Sequence, residues 1–586
     1  MIDFGSWAES LAPYVGYLIP LPVILPMLAA AICFICGKRT TAQRQVAFFT
    51  LLAIIVVNSL LLLVADWEGI QTLQIGGWDA PVGITLVADR LAALMLTTSS
   101  VILFAVVWYA ISQGIHDDGN EDPVAVFLPS YMLLTMGVNL SFLAGDLFNL
   151  YVGFEIFLSA SYVLLTLGAT PSRVRAGVGY VMVSMASSMI FLIALAMVYA
   201  AVGTMNMAQI GERLEDIPGG VSTAIFAVLL VAFGIKAAVV PLDAWLPDSY
   251  PTAPSLVTAV FAGLLTKVGV YAIIRMRSLV FTDGRLDTLL MWVGLATMIV
   301  GILGAMVQPD IKRLLSFTLV SHIGYMIFGL ALGSPLGLSG AIFYAIHHIL
   351  VQTALFLVVG LIEHHTGTAS LRQLGSLLYT APTIAVLYFI PAINLGGIPP
   401  FSGFLGKVLL LQAAAEKGTW LAWVLAGGAV LTSLLTLYVM MLVWSKGFLR
   451  DRADAPDAQL VGTGEIKEEN EDEAAAEQDD TAATGKETSS EGATASRVRG
   501  DKGRPTPGMV ASTAMLVIAS TSLTFVAGPM ASITGRAAES VQDTSVYRYA
   551  VLGDTGDNPT RHLDSADRYQ KSPDSLQNRE GGTDGE

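Results

Sequence analysis

The sequence predicts an all-α, polytopic membrane protein of about 14 transmembrane helices, with two inverted five-helix repeats and broken helices 7 and 12. Apolar residues make up 54% of its 586 residues and charged residues 13%, whereas soluble domains carry about 25% charged residues. The apolar residues gather in runs of about 20, the length of a helix that crosses a bilayer. Two runs, five spans apart, are interrupted by proline next to a lysine, which is the pattern of an inverted-repeat transporter.

The predicted spans follow one another with short polar connections. The first residues, MIDFGSWAES, are acidic rather than basic, and the first apolar run is long enough to span, so we expect no cleavable signal peptide. The expected spans cover about 13–36, 46–66, 86–112, 127–144, 146–168, 176–203, 221–245, 254–275, 286–306, 312–333, 337–362, 381–413, 420–446 and 508–530.

These spans divide the chain into six predicted parts. Spans 4–8 and 9–13 are grouped as the two repeats from their pattern of breaks, since their letters do not repeat closely. The parts are an N-terminal three-helix membrane segment (1–126), the first repeat (127–275), the second repeat (286–446), an acidic disordered cytoplasmic linker (447–507), a last transmembrane helix (508–530) and a polar acidic tail (531–586).

The formal net charge of −15 belongs mostly to two polar segments outside the bilayer. Residues 451–507 hold 15 acidic and 7 basic residues, and residues 531–586 hold 10 and 6. Segments of this composition bury too little apolar surface to fold alone, so we expect both to be solvated. The absence of a basic patch in the sequence argues against a nucleic-acid partner, and the bilayer is the expected surroundings.

Loop charges predict the orientation, because cytoplasmic loops are enriched in Lys and Arg. They place both termini outside a cell membrane and the acidic linker inside. Two loops disagree: the acidic loop 113–126 falls inside, and Arg275 and Arg277 fall outside. The residues that support the orientation are Lys38, Arg39, Arg44, Arg173, Arg175, Lys312, Arg313, Lys446 and Arg450.

Two spans are predicted to be broken. Pro241 follows Lys236 in the seventh span, and Pro399 and Pro400 precede Lys407 in the twelfth. Proline removes a backbone donor and clashes with the preceding turn. In a membrane, the carbonyls freed in this way are tolerated only where protein or water satisfies them.

Four ionisable residues lie inside apolar spans: Glu155, Lys236, Lys267 and Lys407. Each costs about 2.5–3.5 kcal/mol at the centre of a bilayer, so they must be paired, hydrated or used to move charge. A structural ion pair holding two helices in register, or a lysine reaching the interface, is the alternative. We favour proton sites, because burial and an opposite charge shift the pKa of such groups in opposite directions.

Three histidines, His322, His347 and His348, fall in adjacent spans near these lysines. A core histidine is often simply hydrogen-bonded, but three beside membrane lysines favour a proton relay. His364 and His365, at a span end, are expected to be surface residues.

The sequence carries no cofactor or metal signal. Cys33 and Cys36 have C-x-x-C spacing, but no second pair accompanies them, so we interpret them as small apolar residues near a helix end. There is no phosphate-binding loop, dinucleotide-binding glycine motif or iron–sulfur cysteine set. We therefore expect no cofactor and no catalytic chemistry in this chain.

Four stretches carry a specific resemblance: GDLFNLYVGFEIFLSASY, FGIKAAVVPLDAWLPDSYPTAPSLVTAVFAGLLTKVGVY, QPDIKRLLSFTLVSHIGYM and NLGGIPPFSGFLGK. They resemble the antiporter-like subunits shared by respiratory complex I and the Mrp-type multisubunit Na⁺/H⁺ antiporters, over roughly residues 85–445. The first stretch is most similar to the D-type members of the Mrp antiporter family. The resemblance implies two inverted repeats, lateral coupling to other subunits of a membrane complex, and transport of H⁺ with Na⁺.

The resemblance also implies roles for single residues. Glu155 and Lys236 match the paired residues of one half-channel, Lys267 the connecting lysine, and Lys407 the end of the second half-channel. His322 and His348 match relay positions between them. One departure is Gln352, where many relatives have a lysine four residues after a histidine; either the relay would use water with His347 and His348, or its central step would be slower.

Three functions stay open. The first is a proton-translocating subunit of a monovalent cation/H⁺ antiporter, a secondary transporter rather than an enzyme. The second is a proton-pumping subunit of a redox complex such as NADH:quinone oxidoreductase or a membrane-bound hydrogenase. The third, motivated by Gln352, is a structural subunit whose channel is inactive.

Overall fold

The computed structural model describes residues 4–114, 124–168, 170–457 and 504–553. Most of the predicted acidic linker and residues 554–586 of the predicted tail lie outside the described residues. In the described part the chain is helical, apart from one two-stranded antiparallel hairpin of β1 (Gln71–Gln74) and β2 (Thr85–Ala88), in which Gln71 faces Ala88.

The N-terminal segment comprises five helices and the hairpin. Pro20 and Pro22 lie where the chain bends by 46° between residues 5–18 and 21–36. Asp89 begins the last of the five by accepting a hydrogen bond from the Ala92 amide at 2.8 Å, which satisfies a free donor of the first turn. The helices are α1 (Phe4–Leu11), α2 (Val15–Leu18), α3 (Leu21–Cys36), α4 (Thr40–Trp67) and α5 (Arg90–Gln113).

The next eight helices correspond to the predicted first repeat. A π-helical turn, Phe261–Leu265, joins α12 to α13, and a second, Met276–Val280, extends α13, so that 255–280 is one continuous span. The helices are α6 (Val124–Leu143), α7 (Leu147–Thr166), α8 (Pro171–Val202), α9 (Met207–Arg213), α10 (Gly219–Ala237), α11 (Trp245–Ser249), α12 (Ser255–Val260) and α13 (Thr266–Arg275).

Seven helices correspond to the predicted second repeat, and three follow residue 504. A π-helical turn, Trp444–Leu449, extends the last helix of the repeat. The helices are α14 (Asp287–Met306), α15 (Ile311–Ala331), α16 (Pro335–Thr366), α17 (Leu377–Thr380), α18 (Pro382–Gly396), α19 (Ser402–Lys417), α20 (Trp420–Val443), α21 (Pro507–Phe525), α22 (Ala527–Gln542) and α23 (Thr544–Leu552).

The described residues contain twelve helices long and apolar enough to span a membrane, or thirteen if the bent N-terminal pair is counted as one span. The predicted twelfth span is two shorter helices, α18 and α19, separated at Pro399 and Pro400. Helix α10, which corresponds to the predicted seventh span, ends at Ala237 rather than at the predicted residue 245, because Ala238 adopts a left-handed conformation before Pro241. Both predicted breaks are therefore confirmed; the peptide bonds before Pro241 and Pro400 are cis.

The most apolar windows of 255–280 and of α16 are completely buried by other helices, whereas α4, α8 and α20 bury less than half of theirs. The span 255–280 and α16 therefore lie at the centre of the bundle, and α4, α8 and α20 lie at its periphery. Since α13 carries Lys267 and α16 carries His347 and His348, three of the predicted proton residues lie where lipid does not reach.

Two predictions need correction. Residues 531–553, expected to be part of a solvated tail, form helices whose Ala537, Val541 and Tyr547 are buried. Arg275, which was counted as a loop charge, is 2% exposed and forms a bidentate ion pair with Asp89. An arginine neutralised inside the bundle does not count as a loop charge, so the disagreement at this loop rests on Arg277, which is paired with Asp287.

Candidate functional site

Glu155 and Lys236 are joined by a serine rather than by a direct ion pair. The Ser188 hydroxyl of α8 donates a hydrogen bond to the Glu155 carboxylate of α7. The Lys236 Nζ, near the end of α10, donates to the same hydroxyl at 3.1 Å and to the Ser184 carbonyl at 3.1 Å. Because a hydroxyl both donates and accepts, Ser188 links the acid to the base through one exchangeable proton.

Lys236 lies one residue before the end of α10, at the break. The helix ends at Ala237, and the Ile235 carbonyl accepts from the Ala238 amide at 3.2 Å and from the Trp245 indole at 3.1 Å. A small cavity adjoins the lysine. It is lined by Phe157, Leu158, Tyr180, Ser184, Ile235, Lys236, Trp245, Tyr250 and Leu265.

Lys267 lies at the centre of the bundle with no exposed surface. Its Nζ donates to the Ala262 carbonyl at 2.6 Å, inside the π-helical turn that precedes it. Such turns place extra backbone groups at functional sites. The structure therefore gives this lysine a backbone acceptor and, among the described residues, no carboxylate within ion-pair distance.

His322 and His348 meet in the centre of the second half. Their ring centroids are 5.0 Å apart. His322 Nδ1 is 2.7 Å from the Tyr344 hydroxyl and its Nε2 is 3.4 Å from the Thr436 hydroxyl. His348 is fully buried, and neither of its ring nitrogens has a hydrogen-bond partner in the described part of the chain. A buried imidazole without partners is costly, which makes this position suited to a transient water or proton.

His347 points to the second break instead. Its Nδ1 is 3.0 Å from the Ser402 hydroxyl, the first residue of α19. The Asn394 carboxamide closes the break by accepting from the Gly403 amide at 3.0 Å. The Ser402 hydroxyl also lies 3.3 Å from the Ser520 carbonyl, so α21 completes this junction.

Lys407, on α19, binds the backbone at the end of α18 and so spans the break between the two helices. Its Nζ donates to the carbonyls of Leu395 and Gly396, both at 3.2 Å, and to the Ser433 hydroxyl at 2.9 Å. It also lies 5.3 Å from the centre of the Tyr325 ring. The freed carbonyls at the end of α18 thus hold a buried ammonium group, as they favour cations.

The predicted residues therefore fall into four groups rather than one continuous chain. Glu155 and Lys236 form one, and Lys267 stands apart. The His322–His348 pair lies between Lys267 and the Lys407 end, while His347 belongs to the break. Gln352 donates to the Leu315 carbonyl at 2.8 Å, and its Oε1 has no partner among the described residues.

Sequence reasoning missed the residues that hold the members of these groups in place. Ser188, Tyr344 and Ser433 carry the bridging hydroxyls, and Tyr325 lies beneath Lys407. For Ser188, the sequence did offer a signal: the repeated serines of VSMASSMIF on an otherwise apolar helix. Across the described residues, no three His, Cys, Asp or Glu side chains are grouped as a metal site requires.

The fold and the buried charges define a multi-pass membrane protein whose interior holds ionisable side chains on broken helices. Comparison with known proteins gives the family. Residues 144–436 match the family described as NADH:quinone oxidoreductase/Mrp antiporter, transmembrane. The chain is 39% identical over 452 residues to the D-type Na⁺/H⁺ antiporter subunit of Alkalihalophilus pseudofirmus, covering 77% of this chain and 90% of that protein.

Two solved structures extend the comparison. A chain of the Mrp complex from Dietzia sp. DQ12-45-1b is 32% identical, with a TM-score of 0.78, over 92% of this chain and 100% of that one. A chain of respiratory complex I from Thermus thermophilus matches the same shares with a TM-score of 0.67 and 22% identity, which is a likeness of fold alone. This protein belongs to the NADH:quinone oxidoreductase/Mrp antiporter transmembrane family, as the four sequence stretches indicated.

Proposed function

We propose that this chain is a proton-translocating subunit of a multisubunit monovalent cation (Na⁺)/H⁺ antiporter in the cell membrane, and a secondary transporter rather than an enzyme. The observation that carries the proposal is the Glu155–Ser188–Lys236 bridge, which links an acid and a base by a single hydroxyl proton inside a membrane helix bundle. The relatives named as D-type Na⁺/H⁺ antiporter subunits supply the cation and the partner subunits.

The proton path has two halves in this proposal. Glu155 and Lys236 exchange a proton through Ser188 in the first half. Lys267 passes charge across the centre to the His322–His348 pair, and Lys407 ends the second half at the α18–α19 break. His347 orients the break through Ser402. Tyr344 lies against both His322 and His347, and Tyr325 lies against both His322 and Lys407. Water bridges the remaining spaces.

Peripheral surfaces support assembly with other subunits and lipid. α8 exposes a row of methionines, Met182, Met185 and Met189, at 67%, 51% and 56%. Adaptable methionines suit contact surfaces of this kind. The half-buried Glu155 lies beside this row, so a neighbouring subunit that covers α8 would complete its surroundings. Both termini lie outside in this arrangement, as the loop charges predict.

A proton-pumping role in a redox complex is the second candidate. It is favoured by the likeness of fold to respiratory complex I, and it uses the same residues in the same positions. The two functions differ in what drives the proton: a cation gradient in the first, an electron donor in the second.

The test uses everted vesicles that contain the whole complex. Na⁺-dependent dissipation of a pH gradient is measured for wild type, Glu155→Gln and Lys236→Ala, with assembly checked on a native gel. We expect the exchange to be lost in both variants while the complex stays intact. Proton movement that needs a reduced electron donor, without a Na⁺ response, assigns the redox role. Full exchange in both variants contradicts the proposal.

A further inference from the structure

A buried polar cluster at the start of α7 has no part in the path described above. Asp146 begins this helix: its Oδ1 accepts a hydrogen bond from the Asn149 amide at 2.6 Å. Its Oδ2 is buried and has no partner among the described residues, and the whole residue is 6% exposed. The cap thus uses one carboxylate oxygen and leaves the other unsatisfied.

Asn206 faces Asp146 from the start of α9. The two residues form an antiparallel bridge, with backbone hydrogen bonds of 2.9 Å from Leu147 to Met205 and 3.0 Å from Met207 to Gly145. Directly opposed residues of such a bridge project their side chains on the same side. The two side chains therefore share one space.

Asn206 leaves an unsatisfied donor in that space. Its Oδ1 accepts from the amides of Ala208 and Gln209 at 3.1 and 3.3 Å, which assigns the amide orientation and leaves Nδ2 free. Asn206 is 1% exposed, and its Nδ2 and that of Asn149 have no partner in the described part of the chain. Buried groups of this kind cost about 1–3 kcal/mol each when left unpaired, so this cluster is built to receive a water or a proton.

The C-terminal helix covers this end of the bundle. α23 packs on α9, and its Tyr547 is 1% exposed and lies 5.9 Å from the guanidinium of Arg275. Arg548 of α23 forms an ion pair with Glu215 at 2.8 Å. The Thr72 hydroxyl of β1 donates to the Ala550 carbonyl at 3.3 Å. These contacts hold α23 in place.

We propose that Asp146 is a further proton-exchanging carboxyl group of the transport path, at the membrane face opposite the α7 C-terminus, with α23 as its cover. The inference rests on the proposed function. Asp146 and Glu155 are nine residues apart on α7, which is about 13.5 Å along a helix axis. Water between the Asp146 carboxylate and the unpaired Nδ2 of the Asn149 side chain begins the path from Asp146 towards Glu155.

Burial raises the pKa of Asp146 to about 6, against the effect of its backbone hydrogen bonds. The carboxyl group therefore changes charge within the working pH range of a membrane transporter, being protonated below that value and ionised above it. The titratable and charged groups on the elements packed around it are Asp89 and Arg275, which neutralise each other, Glu212 and Arg213 of α9, and Tyr547 and Arg548 of α23.

Asp310 is a matched control on the opposite face. It caps α15 in the same way, accepting from the Arg313 amide at 3.0 Å, and it forms the same kind of bridge with Ser370. Unlike Asp146, it is only partly buried. Asparagine caps helices about as well as aspartate, so Asp146→Asn and Asp310→Asn both keep the cap and remove only the titration.

The experiment measures Na⁺-dependent proton exchange from pH 5 to 8, about one pH unit below and two above the Asp146 midpoint, in everted vesicles with the whole complex. Asp146→Asn, Asp146→Glu, Asp310→Asn and Glu155→Gln are compared with wild type. We expect Asp146→Asn to lower the rate at least about tenfold and to remove a pH dependence with a midpoint near 6. Asp146→Glu should restore exchange with a shifted midpoint, and Asp310→Asn should leave the rate unchanged.

Each outcome decides between the proposals. Wild-type exchange in Asp146→Asn, together with loss in Glu155→Gln, overturns the role of Asp146 and leaves the proposed function standing. Retained exchange in Glu155→Gln overturns the proposed function itself. Equal losses in Asp146→Asn and Asp310→Asn assign the effect to the loss of a helix-capping charge at either position rather than to Asp146 in particular, and also overturn the inference. If Asp146→Asn does not assemble, an unchanged midpoint in Asp146→Glu contradicts the role and a shifted one supports it.

Discussion

Removing the Ser188 hydroxyl tests whether the bridge between Glu155 and Lys236 carries the proton. Ser188→Ala deletes the donor to the carboxylate and the acceptor of the ammonium group in one step. Lys236 keeps its backbone acceptor, the Ser184 carbonyl. The change is therefore small in volume and confined to the link between the two charges.

The magnitude follows from the contact that is lost. A hydrogen bond to a charged group contributes about 1.5–3 kcal/mol. If the bridge forms in the rate-determining step, this loss corresponds to a rate lowered about ten- to 150-fold, at 1.36 kcal/mol for each factor of ten. We expect Na⁺-driven proton exchange in vesicles to fall by that amount, with the complex still assembled.

Two further variants make the comparison specific. Ser188→Thr keeps the hydroxyl and should retain most of the exchange. Ser187→Ala removes a neighbouring buried hydroxyl that donates to the Ala232 carbonyl at 2.9 Å, so it should lower stability by about 1 kcal/mol and leave the rate alone. A wild-type rate in Ser188→Ala, or an equal loss in Ser187→Ala, would refute the reasoning.

Three other changes have distinct expected outcomes. Lys407→Ala should abolish exchange, whereas Lys417→Ala, which removes a lysine on the same helix that donates to the Leu332 carbonyl, should not; equal losses would contradict a specific role. Asp89→Asn leaves a buried guanidinium without its charge partner and should destabilise the complex by about 3–5 kcal/mol, seen as a lower melting temperature in detergent; an unchanged melting temperature would argue against the pair. Gln352→Leu removes one hydrogen bond to the Leu315 carbonyl, which keeps the Thr318 hydroxyl as a donor, so it should lower stability by about 0.5–1.5 kcal/mol yet keep exchange; lost exchange in an assembled complex would assign the glutamine a transport role.

Much of the fold could be predicted because the bilayer restricts what a chain can do. A single segment satisfies its own backbone in lipid only as a helix, so apolar runs identify the spans, and proline next to lysine identifies both breaks. The boundaries were less accurate. α10 ends eight residues before the predicted limit, because Ala238 turns left-handed ahead of Pro241, and periodicity carries no record of that turn.

The candidate site was predictable in its charges but not in its connections. An ionisable side chain in an apolar run is conspicuous, which is why Glu155 and Lys236 could be named. A serine is not conspicuous, because hydroxyls commonly bond to their own helix, and only the structure places Ser188 between the two charges. Arg275 was misread for a related reason: its partner Asp89 lies far away in the sequence, and loop charge was counted without it.

The contact between Ser402 and the Ser520 carbonyl has a consequence for biogenesis. The helix that completes the Lys407 break is α21, which residues 458–503 separate from the rest of the second half. Ribosomes add about 5–20 residues per second, so the helices on either side of the break are synthesised several seconds before the helix that supplies this contact. The α18–α19 junction is therefore completed only when α21 has been inserted, after the other helices of the second half are already in place.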